Sequence, residues 1–271
     1  MTFLKRALML MALVLFLSLG YGCAHKQVST GESAAVLYEN AMKELSKKSG
    51  FPYILTGPNY DAVLERLKEI QLRYTYSPYA SLAELGMGDF YFLRGEYGQA
   101  VASYEEFVKR HPGHRKAPYA MYRLGLSYYK LGKSRDRDPT NMREADKWFD
   151  RFMWTYPDSK YYREVSGLSV KTRRRLAERE FYIGDYYKKK KNYGAAAQRY
   201  SVVVERYYDT DLVEKALYQV GELYYKMGDY EQAEGPLRRV VREYPTAHYH
   251  KRAARLLARI EQHRRKTAAN R

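Results

Sequence analysis

The sequence predicts an all-α fold, an α-solenoid of about five helix pairs, because two separate windows share one set of landmarks and three more fit with adjustments. Numbered from Ser81, the residues Gly88, Tyr91, Ala100, Tyr104, Phe107 and Pro112 fall at positions 8, 11, 20, 24, 27 and 32. Numbered from Glu214, Gly221, Tyr224, Ala233, Leu237, Val240 and Pro245 fill the same six positions. The landmarks have a packing reason. Small residues at 8 and 20 are expected to face each other where the first and second helix of a pair cross, and only Gly or Ala allows that approach. Large residues at 11, 24 and 27 fill the space on either side, and Pro at 32 is expected to stop the second helix.

These landmarks are those of tetratricopeptide (TPR) repeats, and they place each element in order. The first pair is degenerate: a helix near Ala34 to Lys47, a loop from Ser49 to Asn59 punctuated by Gly50, Pro52, Gly57 and Pro58, then a helix carrying Val63, Leu67 and Ile70, with Thr75 in the Pro slot. The second pair is the Ser81 window. The third begins near Pro118 with Gly125 and Tyr128, and its second helix carries Ala145, Phe149, Phe152 and Pro157 eight residues late. The extra length is the charged stretch Lys133 to Pro139, read as an exposed excursion. The fourth pair carries Gly184, Tyr187, Ala196, Tyr200 and Val203, with Tyr208 in the Pro slot. Between 161 and 177 there is no Pro and only Gly167, so its first helix extends upstream by about four turns. The Glu214 window is the fifth pair, and His248 to Lys266 reads as a capping helix. Tyr60, Tyr97, Tyr193 and Tyr230, all at position 17, should open the second helices. The parse is therefore repeats 1–3 over 34–157, repeats 4–5 and the cap over 158–266, and a tail at 267–271.

The N-terminus reads as a targeting signal over 1–22. Lys5 and Arg6 precede an apolar run from Ala7 to Leu19, broken only by Ser18 and short for a membrane span. Cys23, the one cysteine of the chain, follows at once. A single thiol in an exported protein is free, intermolecular or modified, and its place after the apolar run selects modification. The segment resembles a bacterial lipoprotein cleavage site, with Gly20 and Tyr21 standing where Leu and Ala or Ser are usual. That resemblance implies acylation of Cys23, a flexible tether over 23–33 and, with Ala24 rather than Asp next in line, anchoring in the outer membrane.

The formal charge is +17, or +15 once Lys5 and Arg6 leave with the signal (17 − 2). Export argues against nucleic acid as the partner, so an anionic membrane surface or an acidic protein is expected. The clusters Arg173 to Arg175 and Lys188 to Lys191 read as solvated helix faces. No catalytic constellation is visible. Gly86-Met87-Gly88 lacks the third glycine and strand context of a dinucleotide loop, and the six histidines are scattered without a metal spacing. Neither a cofactor nor a metal site is expected; a stack of helix pairs, rich in its 30 tyrosines, points to protein binding along the groove lined by the first helices.

Three local runs narrow this further: Arg73-Tyr74-Thr75-Tyr76-Ser77-Pro78-Tyr79, Ser134 to Pro139, and Trp154-Thr155-Tyr156-Pro157-Asp158-Ser159-Lys160-Tyr161. Together with the five repeats, the lipidation signal and the long fourth-repeat helix, they resemble the BamD (ComL-like) lipoprotein family of the outer-membrane β-barrel assembly machinery over roughly residues 34 to 263. The resemblance implies a periplasmic scaffold held at the inner leaflet of the outer membrane. Its partners would be the POTRA domains of a BamA-like barrel protein, other assembly lipoproteins and the C-terminal segments of unfolded outer-membrane proteins. It implies a partner contact at Arg199 and a client pocket around Tyr74, Pro78 and Tyr79, with Tyr91 behind them. The competing reading is an envelope adaptor for peptidoglycan or division proteins.

Overall fold

The computed structural model describes residues 32–47, 57–132 and 138–269. Among them are eleven α-helices and no strand. Helices α1 (Ala34–Leu45) and α2 (Tyr60–Arg73) form the first pair, and α3 (Pro78–Leu93) and α4 (Tyr97–Arg110) the second. The third is α5 (Ala117–Leu131) with α6 (Thr140–Thr155), the fourth α7 (Tyr162–Lys189) with α8 (Tyr193–Arg206), and the fifth α9 (Val213–Met227) with α10 (Tyr230–Glu243). Helix α11 (His250–Ala269) closes the stack. Each helix packs chiefly on the one before and the one after it, which is the all-α solenoid the sequence predicts. The signal, Cys23, most of the tether, most of the Ser49–Asn59 loop and the body of the charged excursion lie outside the described residues.

Local expectations hold at several points. Helix α7 has 28 residues and begins at Tyr162, so the fourth pair does carry the upstream extension. Tyr60, Tyr97, Tyr193 and Tyr230 are each the first residue of their helix. Two of them pack back on the preceding helix, Tyr97 on Phe92 at 5.2 Å and Tyr230 on Tyr225 at 5.5 Å between ring centroids.

Each second helix gives the core one stripe, packed on buried residues of the first helices such as Phe90, Leu124 and Leu223. Positions 20, 24 and 27 are Val63, Leu67 and Ile70 in α2, Ala100, Tyr104 and Phe107 in α4, and Ala145, Phe149 and Phe152 in α6. In α8 they are Ala196, Tyr200 and Val203, and in α10 Ala233, Leu237 and Val240; all fifteen are 0% exposed. The spacing i, i+4, i+7 keeps them on one face.

The group nearest to position 8, and the one that most demands a missing side chain there, is position 24. A methyl group at Gly88 would lie 2.5 Å from the Tyr104 ring, at Gly125 2.6 Å from Phe149, at Gly184 2.6 Å from Tyr200, and at Gly221 2.5 Å from Leu237. Position 20 is also near, as expected: the Ala233 carbonyl oxygen is 3.2 Å from a methyl placed at Gly221. Helical side chains lean toward the N-terminus, so the group at 24 covers the turn beneath it, where residue 20 lies. Alanine at 20 leaves room for that group, and glycine at 8 receives it.

Proline at 32 proves to be tolerated rather than decisive. Tyr74, His111, Tyr156, Tyr207 and Tyr244 end the five second helices, each giving its amide to the carbonyl of position 27. The amide three residues further on then returns to the same residue's carbonyl, at 2.9 Å for Ser77 to Tyr74 and 3.2 Å for Ala247 to Tyr244. Thr75 and Tyr208 occupy the Pro slot of the first and fourth repeats, and the turn is unchanged. The amide of that slot takes no part in it, so proline costs nothing there.

Gly184→Ala should destabilise the protein by about 1–3 kcal/mol, because the Tyr200 ring cannot withdraw from a filled interior. Gly98→Ala, at an exposed helical site with nothing within 4 Å of the new methyl, should stabilise it by about 0.4–1 kcal/mol. Urea unfolding of the two variants measures both signs.

Candidate protein-binding site

Of the four residues expected to form an N-terminal pocket, the structure brings three together. Tyr74 caps α2, half-buried, and its hydroxyl donates to the Glu32 carbonyl at 2.7 Å, tying the start of the described chain to the first inter-repeat turn. Pro78 is the first residue of α3, where a missing amide is harmless, and it is exposed. Tyr79 is half-buried, its ring 5.8 Å from that of Tyr38 on α1. Tyr91 is not behind them. It lies twelve residues beyond Tyr79 on the same helix, about 18 Å along the axis at 1.5 Å per residue. It is the position-11 tyrosine of its repeat, and its carbonyl receives the Glu96 amide at 2.9 Å as those of Tyr187 and Tyr224 receive Asn192 and Asp229. Its role is repeat packing. The side chains open to a partner at this end are neighbours the sequence reading did not single out, Leu72 and Tyr76, 81% and 102% exposed.

Arg199 sits on α8, 43% exposed, and its guanidinium donates to Glu180 Oε2 at 3.3 Å. Glu180 on α7 is only 6% exposed and has Arg179 at 3.7 Å as its other cation. Arg199 thus neutralises a buried carboxylate within its own repeat while keeping part of its surface open.

In each of the two basic clusters one cation, Arg173 and Lys188, departs from the expected solvated face. Arg173 is 16% exposed and pairs with Asp146 at 3.0 Å, with Asp209 at 2.8 Å and with Asp150. It joins the third pair to the turn between the fourth and fifth. Arg175 lies over the Tyr129 ring at 4.6 Å. Lys188 reaches α9, donating to Gln219 at 2.6 Å and to Glu222 at 3.1 Å. The physical reason is that α7 has neighbours on both sides, so cations on its flanks meet carboxylates of other repeats; Arg174, Arg175 and Lys189 to Lys191 stay exposed.

The first helices also carry a polar network. Asp89 Oδ1 accepts from the Tyr104 and Tyr119 hydroxyls, both at 2.6 Å. Arg123 Nε donates to the Tyr104 hydroxyl at 3.1 Å, and its guanidinium lies 3.7 Å from the centre of the Phe92 ring. Burial first, then the Asp89 charge, pushes both tyrosine pKa values far above their ordinary range, so both hydroxyls remain donors. Asp185 repeats the arrangement, accepting from Tyr200 at 2.6 Å. A sequence signal existed: Asp stands at position 9 in the two pairs with Tyr at 24, whereas Leu126 and Glu222 hold it where 24 is Phe149 or Leu237. Hollows open between successive first helices, one of about 240 Å³ between α7 and α9 and one of about 350 Å³ between α9 and α11. No group of three or more His, Cys, Asp or Glu placed to hold a metal occurs among the described residues, and none of their helices is long and apolar enough to cross a membrane.

A family model described as "YfiO: Outer membrane lipoprotein" matches residues 31–236. The chain is 30% identical over 252 residues to the outer membrane protein assembly factor BamD of Neisseria gonorrhoeae, spanning 88% of this chain and 90% of that protein. It is 29% identical over 247 residues to the protein of the same name from Rickettsia prowazekii, covering 90% and 94%. Among solved structures, a thermophilic TPR protein of Thermus thermophilus aligns at 16% identity with a TM-score of 0.35, over 83% of this chain and 100% of its own.

The Arg173 cluster makes stability depend on pH. Burial, with Asp150 and Asp209 adding to it, raises Asp146 to about 6 against the pull of Arg173. A carboxyl raised on folding contributes stability that is complete below its unfolded value and is lost as pH climbs through about 6. Arg173→Ala removes the one cation these three carboxylates share. It should cost about 3 kcal/mol at pH 7.5 and clearly less at pH 5, where Asp146 takes a proton. Thermal melts at the two pH values check this.

Proposed function

The chain belongs to the YfiO family of outer membrane lipoproteins, and we propose that it is a periplasmic scaffold for the assembly of outer-membrane proteins, held to the membrane by acyl chains on Cys23. The observation that carries this reading is the match, along nearly the whole chain, to relatives named as outer membrane protein assembly factors. The chain works by holding partners along a rigid stack and not by catalysis.

Three features of the molecule support the arrangement. Glu32 is fixed to Tyr74 by a hydrogen bond and lies nine residues after Cys23 (32 − 23). A tether of that length spans at most about 30 Å, so the first inter-repeat turn stays close to the lipid surface. There, Leu72, Tyr76 and Pro78 offer an apolar edge, backed by Tyr74 and Tyr79, to the C-terminal segment of an unfolded outer-membrane protein. At the other end, the open side of Arg199 faces a carboxylate of a POTRA domain in a BamA-like barrel protein. Its bond to Glu180 holds the guanidinium in place beforehand, which reduces the ordering cost of binding.

The test uses the acylated full chain and a purified POTRA segment of a BamA-like protein from the same source. The wild type should retain the segment at low salt, and Arg199→Glu should weaken binding at least tenfold. Because that change also faces the buried Glu180, the pair Glu180→Gln with Arg199→Gln provides the clean comparison, folding normally and binding weakly. Wild-type chain that retains no POTRA segment removes this partner; a double variant that binds as the wild type removes Arg199 from the contact.

A further inference from the structure

We infer that the recess between α9 and α11 is a second, separate docking site, and that its occupant is an acidic peptide segment of a partner protein. The recess has a volume of about 350 Å³ and is lined by Tyr218, Glu222 and Lys226 from α9 and by Arg252, Arg255 and Arg259 from α11. The three arginines are spaced i, i+3, i+7, which keeps them on one side of the helix, turned toward α9. Helix α11 buries only Ala253 and Ile260 completely, so this side is not consumed by the core.

The charge in the recess is unbalanced. Four cations stand against one carboxylate, and that carboxylate is already engaged: Glu222 accepts from Lys188 at 3.1 Å and from the Tyr218 hydroxyl at 3.2 Å, and lies 3.7 Å from Lys226. The remaining ion pairs of α11 point elsewhere, Arg264 to Glu234 at 2.7 Å and Arg265 to Glu261 at 3.0 Å. Among the described residues, no carboxylate comes within ion-pair distance of Arg252, Arg255 or Arg259. Neighbouring guanidinium groups repel one another, so a run of carboxylates placed between the helices relieves that repulsion and meets bidentate donors. The lining suits a peptide. Tyr218, Tyr225 and Leu256 add apolar surface among the charges, and the Tyr218 ring is held by stacking on Tyr249 at 4.7 Å and 20°. A hollow between two helices admits an extended chain, whereas the plane of a bilayer meets projecting faces and not recesses.

The experiment titrates the full chain against a fluorescent, end-blocked decapeptide of alternating Glu and Gly, and against its Gln counterpart. The wild type should bind the Glu peptide, bind the Gln peptide at least tenfold more weakly, and lose affinity with added salt. Arg252→Glu, Arg255→Glu and Arg259→Glu together should weaken the Glu peptide more than tenfold. An equal reversal on the exposed second-helix surface, Lys109→Glu, Lys147→Glu and Arg151→Glu, should change it less than twofold. Should the first triple variant fold poorly by circular dichroism, the same three positions as Gln serve in its place. Equal losses in both triple variants would mean diffuse attraction to a basic protein and would overturn the site. A recess variant that binds the peptide as the wild type does would also overturn it. So would vesicles containing phosphatidylglycerol that distinguish wild type from recess variant when the peptide does not, since the occupant would then be a lipid surface.

Discussion

In four of the five pairs, a bulky side chain at position 24 of the second helix lies against a glycine at position 8 of the first. Tyr104 on Gly88, Phe149 on Gly125, Tyr200 on Gly184 and Leu237 on Gly221 all pack so closely that a single added methyl would stand 2.5–2.6 Å away. This is a constraint of volume, not of backbone freedom, since these glycines lie within ordinary helices. It sets how near the two helices of a pair come, and hence which flanks face the next pair. The other recurring features follow from that distance. Position 27 meets the following repeat, and position 9 sits level with the hydroxyl that a tyrosine at 24 carries to the edge of the core. In the two repeats with such a tyrosine, an aspartate accepts its hydrogen bond at 2.6 Å; a buried hydroxyl without that acceptor would cost about 1–3 kcal/mol.

The helices, their order and most of their boundaries were legible because they rest on local periodicity and small-residue spacing. The long α7 could be read from a stretch with no proline, and the four opening tyrosines from their shared register. What could not be read were contacts between residues far apart in the chain. Arg173 looked like one of three adjacent surface cations, yet its partners lie 27, 23 and 36 residues away. Only the packing of α7 between neighbours brings Asp146, Asp150 and Asp209 around it. The resemblance placed Tyr91 behind Tyr79, but a helix carries residues twelve apart to opposite ends. The role given to proline was a different kind of error. The slot tolerates it because its amide bonds to nothing, and the turn is made by the residue before it.

Two ends of one stack carry different chemistry. At the first inter-repeat turn, exposed Leu72 and Tyr76 adjoin the hydrogen bond from the Tyr74 hydroxyl to the Glu32 carbonyl. At the far end, three arginines of α11 share a recess with Tyr218 and Tyr225 of α9. Arg173 joins the third pair to the turn between the fourth and fifth, and Lys188 joins the fourth pair to the fifth.

The central claim is that positions 8 and 24 set the helix spacing as one coupled unit, and a double-mutant cycle measures that coupling. Gly88→Ala and Tyr104→Leu each should destabilise the chain, and combining them should cost less than the sum of the two, with an interaction of about 1 kcal/mol or more in urea unfolding. Strict additivity, with the smaller Leu giving the new methyl no relief, would contradict the account.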